Sequence, residues 1–248
     1  MLTVNFKKTT FMPFTCYSSK LPPYDSIQLK FNSENVILES CNKFKYLGVF
    51  LDSHLRWDYH TEYVSNKLRS LLHNFRFFTK IFNVAQLKIL YYALAQSHLN
   101  YGILAWGAVT NKYLESVTIT QKWIIKIILK KDRLYPTHLL FSESSIFDAR
   151  QLYFQKIALG LFQNKIHVSS VDHSYATRNR RNQAVARPKV SKTIGQRCFQ
   201  FIAPTVYSKI VIFLHTPSTL AFKYKLKLFL RTQITRDEVH SIIDFKNN

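Results

Sequence analysis

The chain has 248 residues, of which 47% are hydrophobic and 15% aromatic, so it is long enough to bury more than one small core. Its 35 lysines and arginines exceed its 14 acidic residues and give a net charge of +21 at pH 7, which favours a polyanionic partner. No run approaches the ~20 uninterrupted apolar residues of a membrane-spanning helix, and the first residues lack the apolar region of a signal peptide, so we expect an intracellular protein, cytoplasmic or nuclear.

The positive charge is concentrated in the second half of the chain. Between Arg150 and Arg236 the single acidic residue is Asp172. This distribution favours nucleic acid (RNA, an RNA–DNA hybrid or DNA) over an anionic membrane surface, and we expect neither a membrane partner nor a small-molecule substrate. An AT-rich genome is an alternative source of the lysine excess, but it explains the arginines poorly.

The first residues have the pattern of β-strands. Apolar and polar residues alternate over 27–31, a polar turn follows at 32–35, and an apolar run at 36–38 completes an antiparallel β-hairpin. A third strand is predicted over Lys45–Asp52, where Gly48 would let another backbone or a ligand approach closely.

After Trp57 the apolar residues recur at three- and four-residue steps, which predicts helices. Asp58 is the predicted cap of the first helix. A second helix begins at Asn83, where Gln86 completes a capping box, and ends near Asn100. Further helices are predicted from Asn111, after Pro136, over 146–162, and from a cap at Ser218.

These elements predict an α+β fold that is mostly α, with a short N-terminal antiparallel β-hairpin, a helical domain and a basic C-terminal tail. The hydrophobic density drops between residues 164 and 195, where arginine and lysine cluster with asparagine and glutamine. We therefore divide the chain into strands at 1–57, a helical domain at 58–165, a basic linker at 166–195, and a tail with an amphipathic basic helix at 196–248.

The acidic residues are poorly placed for metal-dependent catalysis. Two-metal chemistry needs several converging carboxylates, but no Asp-Asp dipeptide exists in the chain, and Asp52 and Asp58 are separated by six positions. His54 and His60 beside these aspartates are an alternative ligand cluster, although a capped helix with surface histidines is the preferred interpretation. With five glycines and no GxxxxGK spacing, an NTPase is excluded, and we expect no catalytic residue, metal site or cofactor.

Several short motifs recur together along the chain: Asn5-x-x-Lys8-Thr9, Phe44-Lys45-Tyr46-Leu47-Gly48-Val49-x-Leu51-Asp52, Trp57-x-x-His60, Tyr101-Gly102, Trp106-Gly107 and Gln121-Lys122. In this order they resemble the region downstream of the active site in Jockey-like non-LTR retrotransposon (LINE) reverse transcriptases. The stretch from Thr193 to Leu230 is similar to the C-terminal tail of the same family.

The resemblance implies that Met1 falls immediately after the catalytic aspartate loop of an RNA-directed DNA polymerase. Residues 45–52 would then correspond to the primer grip, whose hairpin backbone holds the primer end, and residues 58–129 to the thumb. The chain would not be an enzyme on its own, and Mg²⁺ would be bound only if an upstream palm completed the site.

The residues predicted to contact nucleic acid lie in the primer grip, the first thumb helix, the arginine-rich segment and the C-terminal helix: Lys45, Tyr46, Leu47, Gly48, Lys67, Arg69, Arg76, Arg178, Arg180, Arg181, Lys223 and Lys227. Core packing is the competing and preferred interpretation for Tyr46, Leu47 and Trp57. A solvated helix face is the competing interpretation for the cations of the first helix. For the whole chain, two alternatives stay open: an independent basic binding module, and a transposon relic without function whose palm strands are exposed.

Overall fold

A computed structural model describes residues 5–15, 26–31, 34–168 and 185–244. The chain divides into two compact units, an N-terminal unit (Met1–His60) and a helical unit (Thr61–Asn248). The strands are β1 Ser26–Phe31, β2 Glu34–Glu39, β3 Lys43–Tyr46 and β4 Val49–Asp52. The fold is α+β and mostly α, as predicted.

The predicted first hairpin is confirmed. Strands β1 and β2 pair antiparallel from Ser26 opposite Glu39 to Phe31 opposite Glu34. Leu38 is buried in this ribbon, whereas the apolar side chains of β1 at 27 and 29 are exposed. A short 3₁₀ turn precedes the hairpin at Phe6–Lys8.

The prediction of one strand over Lys45–Asp52 is wrong, because the segment belongs to a second hairpin. Strands β3 and β4 pair antiparallel, with Lys43 opposite Asp52 and Tyr46 opposite Val49. Leu47 and Gly48 form the two-residue turn with φ angles of 45° and 82°. Positive φ at both central residues is the geometry of a type I′ turn, whose twist matches that of the paired strands.

The helices follow in chain order: α1 Asp58–Phe78, α2 Val84–Leu90, α3 Gln96–Asn100, α4 Ile103–Trp106, α5 Asn111–Leu129, α6 Thr137–Ser144, α7 Ala149–Phe162, α8 Thr193–Gln196, α9 Phe199–Ile210, α10 Thr219–Thr232 and α11 Arg236–Asp244. A π-helical segment, Tyr91–Ala95, joins α2 to α3, and a 3₁₀ turn, Val211–Phe213, follows α9.

Two predicted helix caps are confirmed. The Asn83 side chain accepts a hydrogen bond from the Gln86 amide at 3.0 Å, and the Gln86 side chain accepts one from the Asn83 amide at 3.0 Å. The Ser218 hydroxyl accepts a hydrogen bond from the Ala221 amide at 3.2 Å. Each bond satisfies an amide that has no partner inside its helix.

The predicted single helix from Asn83 to Asn100 contains the π segment because its buried residues recur at steps of four. Four fully buried side chains share this spacing: Leu87, Tyr91, Ala95 and Leu99. In an α-helix with 3.6 residues per turn, each step of four rotates the side chain by about 40° away from the core. The wider turn of a π segment offsets part of this rotation, so that all four side chains stay buried.

Helix α7 is the central element of the helical unit. Helices α3 and α4 contact it from the first half of the chain, and α9, α10 and α11 contact it from the second half. Most of its residues are buried, including Leu152, Tyr153 and Phe154. The segment predicted as a tail therefore shares one core with the helices that precede it.

None of the helices in the described part of the chain is long and apolar enough to cross a membrane.

Candidate nucleic-acid interface

The second hairpin presents its turn and one strand to solvent. All four residues of β3 are exposed, and the Leu47 side chain in the turn is 73% exposed. Core packing of Tyr46 and Leu47, the preferred interpretation from the sequence, is therefore wrong. Both side chains and the Gly48 backbone lie where a ligand could reach them.

Aromatic rings underlie the lysines of β3. The Lys43 ammonium lies 4.1 Å from the centroid of the Tyr59 ring and 5.6 Å from that of Phe50, and the Lys45 ammonium lies 5.4 Å from the Phe50 centroid. A cation over a ring face is attracted by the electron density of the ring. These contacts restrict the lysine side chains without neutralising their charge.

The aspartate of the motif organises the loop that follows the hairpin. One Asp52 carboxylate oxygen accepts hydrogen bonds from the amides of His54 and Arg56, each at 3.0 Å, and the other accepts one from the Trp57 amide at 2.9 Å. Because the carboxylate is buried and used by three amides, Asp52 has a structural role. Asp58, the predicted cap, lies inside the first turn of α1 and accepts a hydrogen bond from the Tyr59 amide at 2.8 Å.

The histidine of the motif fixes the base of the hairpin. His60 Nδ1 accepts a hydrogen bond from the Phe50 amide at 3.3 Å, and the Trp57 ring meets the imidazole edge-on with centroids 6.4 Å apart. Burial lowers the pKa of His60 to about 4, so the ring is neutral at pH 7. Among the described residues, no three His, Cys, Asp or Glu side chains gather where they could hold a metal ion.

The three predicted cations of α1 are exposed but do not form one row. Arg69 and Arg76 are seven residues apart and so lie on the same flank of the helix, whereas Lys67 lies on the opposite flank of its buried stripe. Arg69 donates a hydrogen bond to the Asn66 side chain at 3.1 Å. The pKa of His98 is lowered by burial and by the nearby charge of Lys67.

The predicted basic face of the C-terminal helix lies on α10. Lys223 and Lys227 are exposed one helical turn apart, and Arg231 continues the row. Within the described part of the chain, no carboxylate forms an ion pair with any of the three. The opposite side of α10 is buried through Phe222, Leu226, Phe229 and Leu230, which confirms the predicted amphipathic pattern.

The arginines at 178, 180 and 181 lie outside the described residues. In the part of the same basic segment that the structure describes, Arg187, Lys189 and Lys192 are exposed. Arg187 donates a hydrogen bond to the Thr205 hydroxyl of α9 at 2.7 Å.

The glycine and tryptophan motifs between α3 and α5 have packing roles. Gly102 adopts a φ of 61°, and the Trp106 indole donates a hydrogen bond to the Tyr101 carbonyl at 2.9 Å. A Cβ atom at Gly107 would lie 2.4 Å from the Tyr153 ring, so no larger residue fits without displacement. These positions are needed for the close approach of α4 to α7.

The glutamine of the Gln-Lys dipeptide is also structural. Gln121 is fully buried, and its amide nitrogen donates to the Tyr91 hydroxyl at 2.8 Å and to the Phe147 carbonyl at 2.9 Å. It thereby joins the π segment to the loop before α7.

Two buried charged groups were missed at the sequence level. The Asp148 carboxylate pairs with Arg236 and lies 2.7 Å from His240 Nε2, and its other oxygen caps α7 through the Gln151 amide at 2.9 Å. Burial alone would raise the pKa of Asp148, but the hydrogen bond with His240 and the charges of His240 and Arg236 lower it to about 2. The D-x-x-Q spacing of 148–151 is a capping-box signature that could have located this cap.

Arg150 is the second of these groups. Its guanidinium is fully buried, donates to the Gly107 carbonyl at 2.8 Å and forms an ion pair with Asp244 of α11. No signal near Arg150 points to a partner 94 residues away. This ion pair and the Asp148 cluster together attach α11 to α7.

No family model matches the chain, and comparison with curated proteins and with solved structures gave no significant match.

Proposed function

We propose that this chain is the C-terminal portion of a non-LTR retrotransposon reverse transcriptase, and that it binds nucleic acid in the cytoplasm or nucleus without polymerase activity of its own. The observation that carries the proposal is the hairpin formed by the K-Y-L-G-V-x-L-D motif. The turn and β3 are exposed, whereas Asp52 and His60 are buried and bind backbone amides at the base of the hairpin.

The binding mode that these residues support is electrostatic and tolerant of sequence. Lysine and arginine contacts to phosphates release condensed counterions, which favours binding at low salt. The Gly48 backbone at the tip of the hairpin allows close approach of a strand end. Arg69 and Arg76 on one flank of α1 add a separate pair of phosphate contacts.

Among the described residues, the buried aspartates are engaged in structural contacts, which supports a binding function without polymerase chemistry. Polymerisation needs converging carboxylates that hold two Mg²⁺ ions. Asp52 is committed to three backbone amides, and Asp148 and Asp244 are committed to buried ion pairs. An upstream palm would have to supply the missing carboxylates.

The test is the affinity of the purified chain for an RNA–DNA hybrid and for double-stranded DNA across a salt series. We expect the logarithm of the association constant to fall linearly with the logarithm of the salt concentration, with the hybrid bound more tightly. Arg69→Gln combined with Arg76→Gln should weaken binding and make the slope less steep by about 2, since each lost phosphate contact contributes about 0.9. The control Lys156→Gln removes an exposed charge from α7, a helix that carries none of the predicted contact residues, and should change little.

Two outcomes would contradict the proposal. DNA synthesis by the purified chain alone on a primed RNA template would show that it carries its own catalytic site. Failure to bind either duplex at low salt would leave the positive charge without a nucleic-acid role and would favour the relic interpretation.

A stand-alone binding module is the second candidate, favoured by the near absence of acidic residues between 150 and 236. Replacing Arg178, Arg180 and Arg181 with glutamine separates the two. A large loss of affinity from this change, with little effect of the two α1 substitutions, would favour the module over a thumb-like grip.

A further inference from the structure

The solvent face of α10 carries an apolar row beside its row of cations. Leu220, Tyr224 and Leu228 follow each other at steps of four residues and are 80%, 71% and 47% exposed. The cations at 223, 227 and 231 have the same step and occupy the adjoining strip of the helix surface. The two rows run side by side along the whole helix.

The cation row is spaced for successive phosphates. Residues four apart in an α-helix are about 6 Å apart along its axis, a distance that an extended nucleic-acid strand can match from one phosphate to the next. Arg231 is held in place because its guanidinium donates to the Ser145 carbonyl at 3.2 Å and lies 5.8 Å from the centroid of the Phe147 ring. Lys223 and Lys227 have no carboxylate partner among the described residues, so their charges are available to an anion.

The apolar row distinguishes between single-stranded and double-stranded ligands. A duplex presents its phosphates to cations and polar donors, but its base faces are stacked inside the helix and cannot meet a protein side chain. An exposed tyrosine between two leucines gains energy from a ligand that also presents flat apolar faces. Unpaired bases next to a phosphate backbone meet both requirements.

We propose that the face formed by Leu220, Lys223, Tyr224, Lys227, Leu228 and Arg231 binds single-stranded nucleic acid, with the cations on successive phosphates and the Tyr224 ring stacked on a base. The inference rests on the proposal that the chain binds nucleic acid, but not on its relation to reverse transcriptases. It assigns to α10 a single-stranded segment, such as the overhang beside a duplex held elsewhere on the chain.

The test compares a single-stranded RNA oligonucleotide with the same sequence in a duplex, using the full chain. Tyr224→Ala should weaken single-strand binding by about 5- to 150-fold, the range that corresponds to about 1–3 kcal/mol for a stacked base. Its salt slope should stay unchanged, because no charge is lost. Tyr224→Phe keeps the ring and should restore the affinity.

The cations give an independent readout. Lys223→Gln with Lys227→Gln should make the single-strand slope less steep by about 1.4, at about 0.7 per phosphate contact. Lys156→Gln, at an exposed lysine of α7, and Tyr92→Ala, an exposed tyrosine on the π segment, are the matched controls and should leave single-strand binding intact.

The inference is overturned if Tyr224→Ala leaves single-strand affinity unchanged, or if it weakens duplex binding by the same factor. It is also overturned if the substitution abolishes binding to phosphatidylserine vesicles while sparing the oligonucleotide, since the face would then be a membrane surface. If the inference about α10 fails in one of these ways but RNA–DNA hybrid binding still depends on Arg69 and Arg76, the proposed function is not contradicted.

Discussion

At the scale of single residues, the charged groups of the motif are divided between structure and surface. Asp52 and His60 are buried and bind backbone amides, whereas Lys45 on the neighbouring strand is exposed. A carboxylate that accepts several amide bonds satisfies donors that would otherwise be buried without a partner. The buried members of the motif can therefore be tested by stability and the exposed members by binding.

Replacing Asp52 with alanine should destabilise the N-terminal unit. The change leaves the amides of His54, Arg56 and Trp57 without their charged acceptor, and a hydrogen bond to a charged group contributes about 1.5–3 kcal/mol. Asp52→Asn keeps one acceptor oxygen and should have an intermediate effect. Urea unfolding followed by amide signals of this unit measures the difference, and an unchanged midpoint for the alanine variant would refute the structural role.

The buried imidazole of His60 should make stability depend on pH. An unfolded histidine protonates near pH 6.5, but in the folded chain burial lowers the pKa of His60 to about 4. Between these values the unfolded state binds the extra proton, so the free energy of unfolding should fall as the pH falls from about 6.5 to about 4.

The variant His60→Asn tests this origin because its side-chain oxygen can accept the Phe50 amide without titrating. Urea midpoints at pH 7, 5.5 and 4.5 should vary less in the variant than in the parent chain. His73→Asn, at an exposed histidine of the same helix, should behave like the parent. Equal pH dependence in all three chains would show that His60 is not the titrating group.

At the scale of elements, the turn of the second hairpin stores strain at Leu47. A leucine with a φ of 45° lies in the left-handed region, which asparagine and glycine adopt much more readily. The side chain is also largely exposed, so the strained residue is not compensated by burial. A residue kept in this state is a candidate for a contact outside the chain.

Leu47→Asn should stabilise the second hairpin by roughly 0.5–1 kcal/mol, because Asn-Gly is the preferred type I′ turn. Amide exchange of Val49 and Tyr46, the pair that closes the turn, reports the change. If the Leu47 side chain contacts nucleic acid, the same variant should bind the RNA–DNA hybrid more weakly despite its greater stability. Stabilisation with unchanged affinity would restrict the interface to the backbone and the lysines.

Local signals predicted the elements that depend on neighbouring residues. The capping box at Asn83 and the cap at Ser218 involve residues three apart, and both were read from the sequence. The turn at Leu47 was missed because leucine is not a turn residue, and the glycine beside it was interpreted as part of one strand. The buried Arg150 could not be predicted, since its partner is fixed only by the packing of α11 on α7.

The candidate site was predicted to a smaller extent than the fold. Exposure of the α10 cations followed from the helical period, and the structure confirms it. The same period places Lys67 and Arg69 on opposite flanks of α1, but this inference requires that the helix be continuous through both residues. The exposed apolar row at Leu220, Tyr224 and Leu228 was not predicted, because large apolar side chains at helical spacing are usually buried.

At the scale of the whole molecule, the positive charge exceeds what internal ion pairing can neutralise. With 35 lysines and arginines and 14 acidic residues, at least 21 cations cannot have a carboxylate of their own. The folded chain is thus a concentrated positive surface that repels itself.

The chain should therefore become more stable as salt is added. Raising NaCl from about 0.05 M to about 0.5 M shortens the range of repulsion between exposed charges and should raise the urea midpoint. A variant with Lys156, Lys165, Lys189 and Lys225 changed to glutamate has a lower net charge and should respond less. A midpoint that falls with salt in the parent chain would mean that ion pairs outweigh the repulsion.

The ion pair between Arg150 and Asp244 also limits how far the helical unit can fold during synthesis on the ribosome. Synthesis at about 5–20 residues per second needs roughly 5 to 20 s to cover the 94 residues between them. During that interval Arg150 has no carboxylate to pair with. The part of α7 around it should therefore stay partly hydrated until Asp244 has been synthesised. The core can be completed only after α11, its last helix, has left the ribosome. A chain interrupted before residue 244 would expose the apolar surface of α7 to protein or nucleic acid near the exit tunnel.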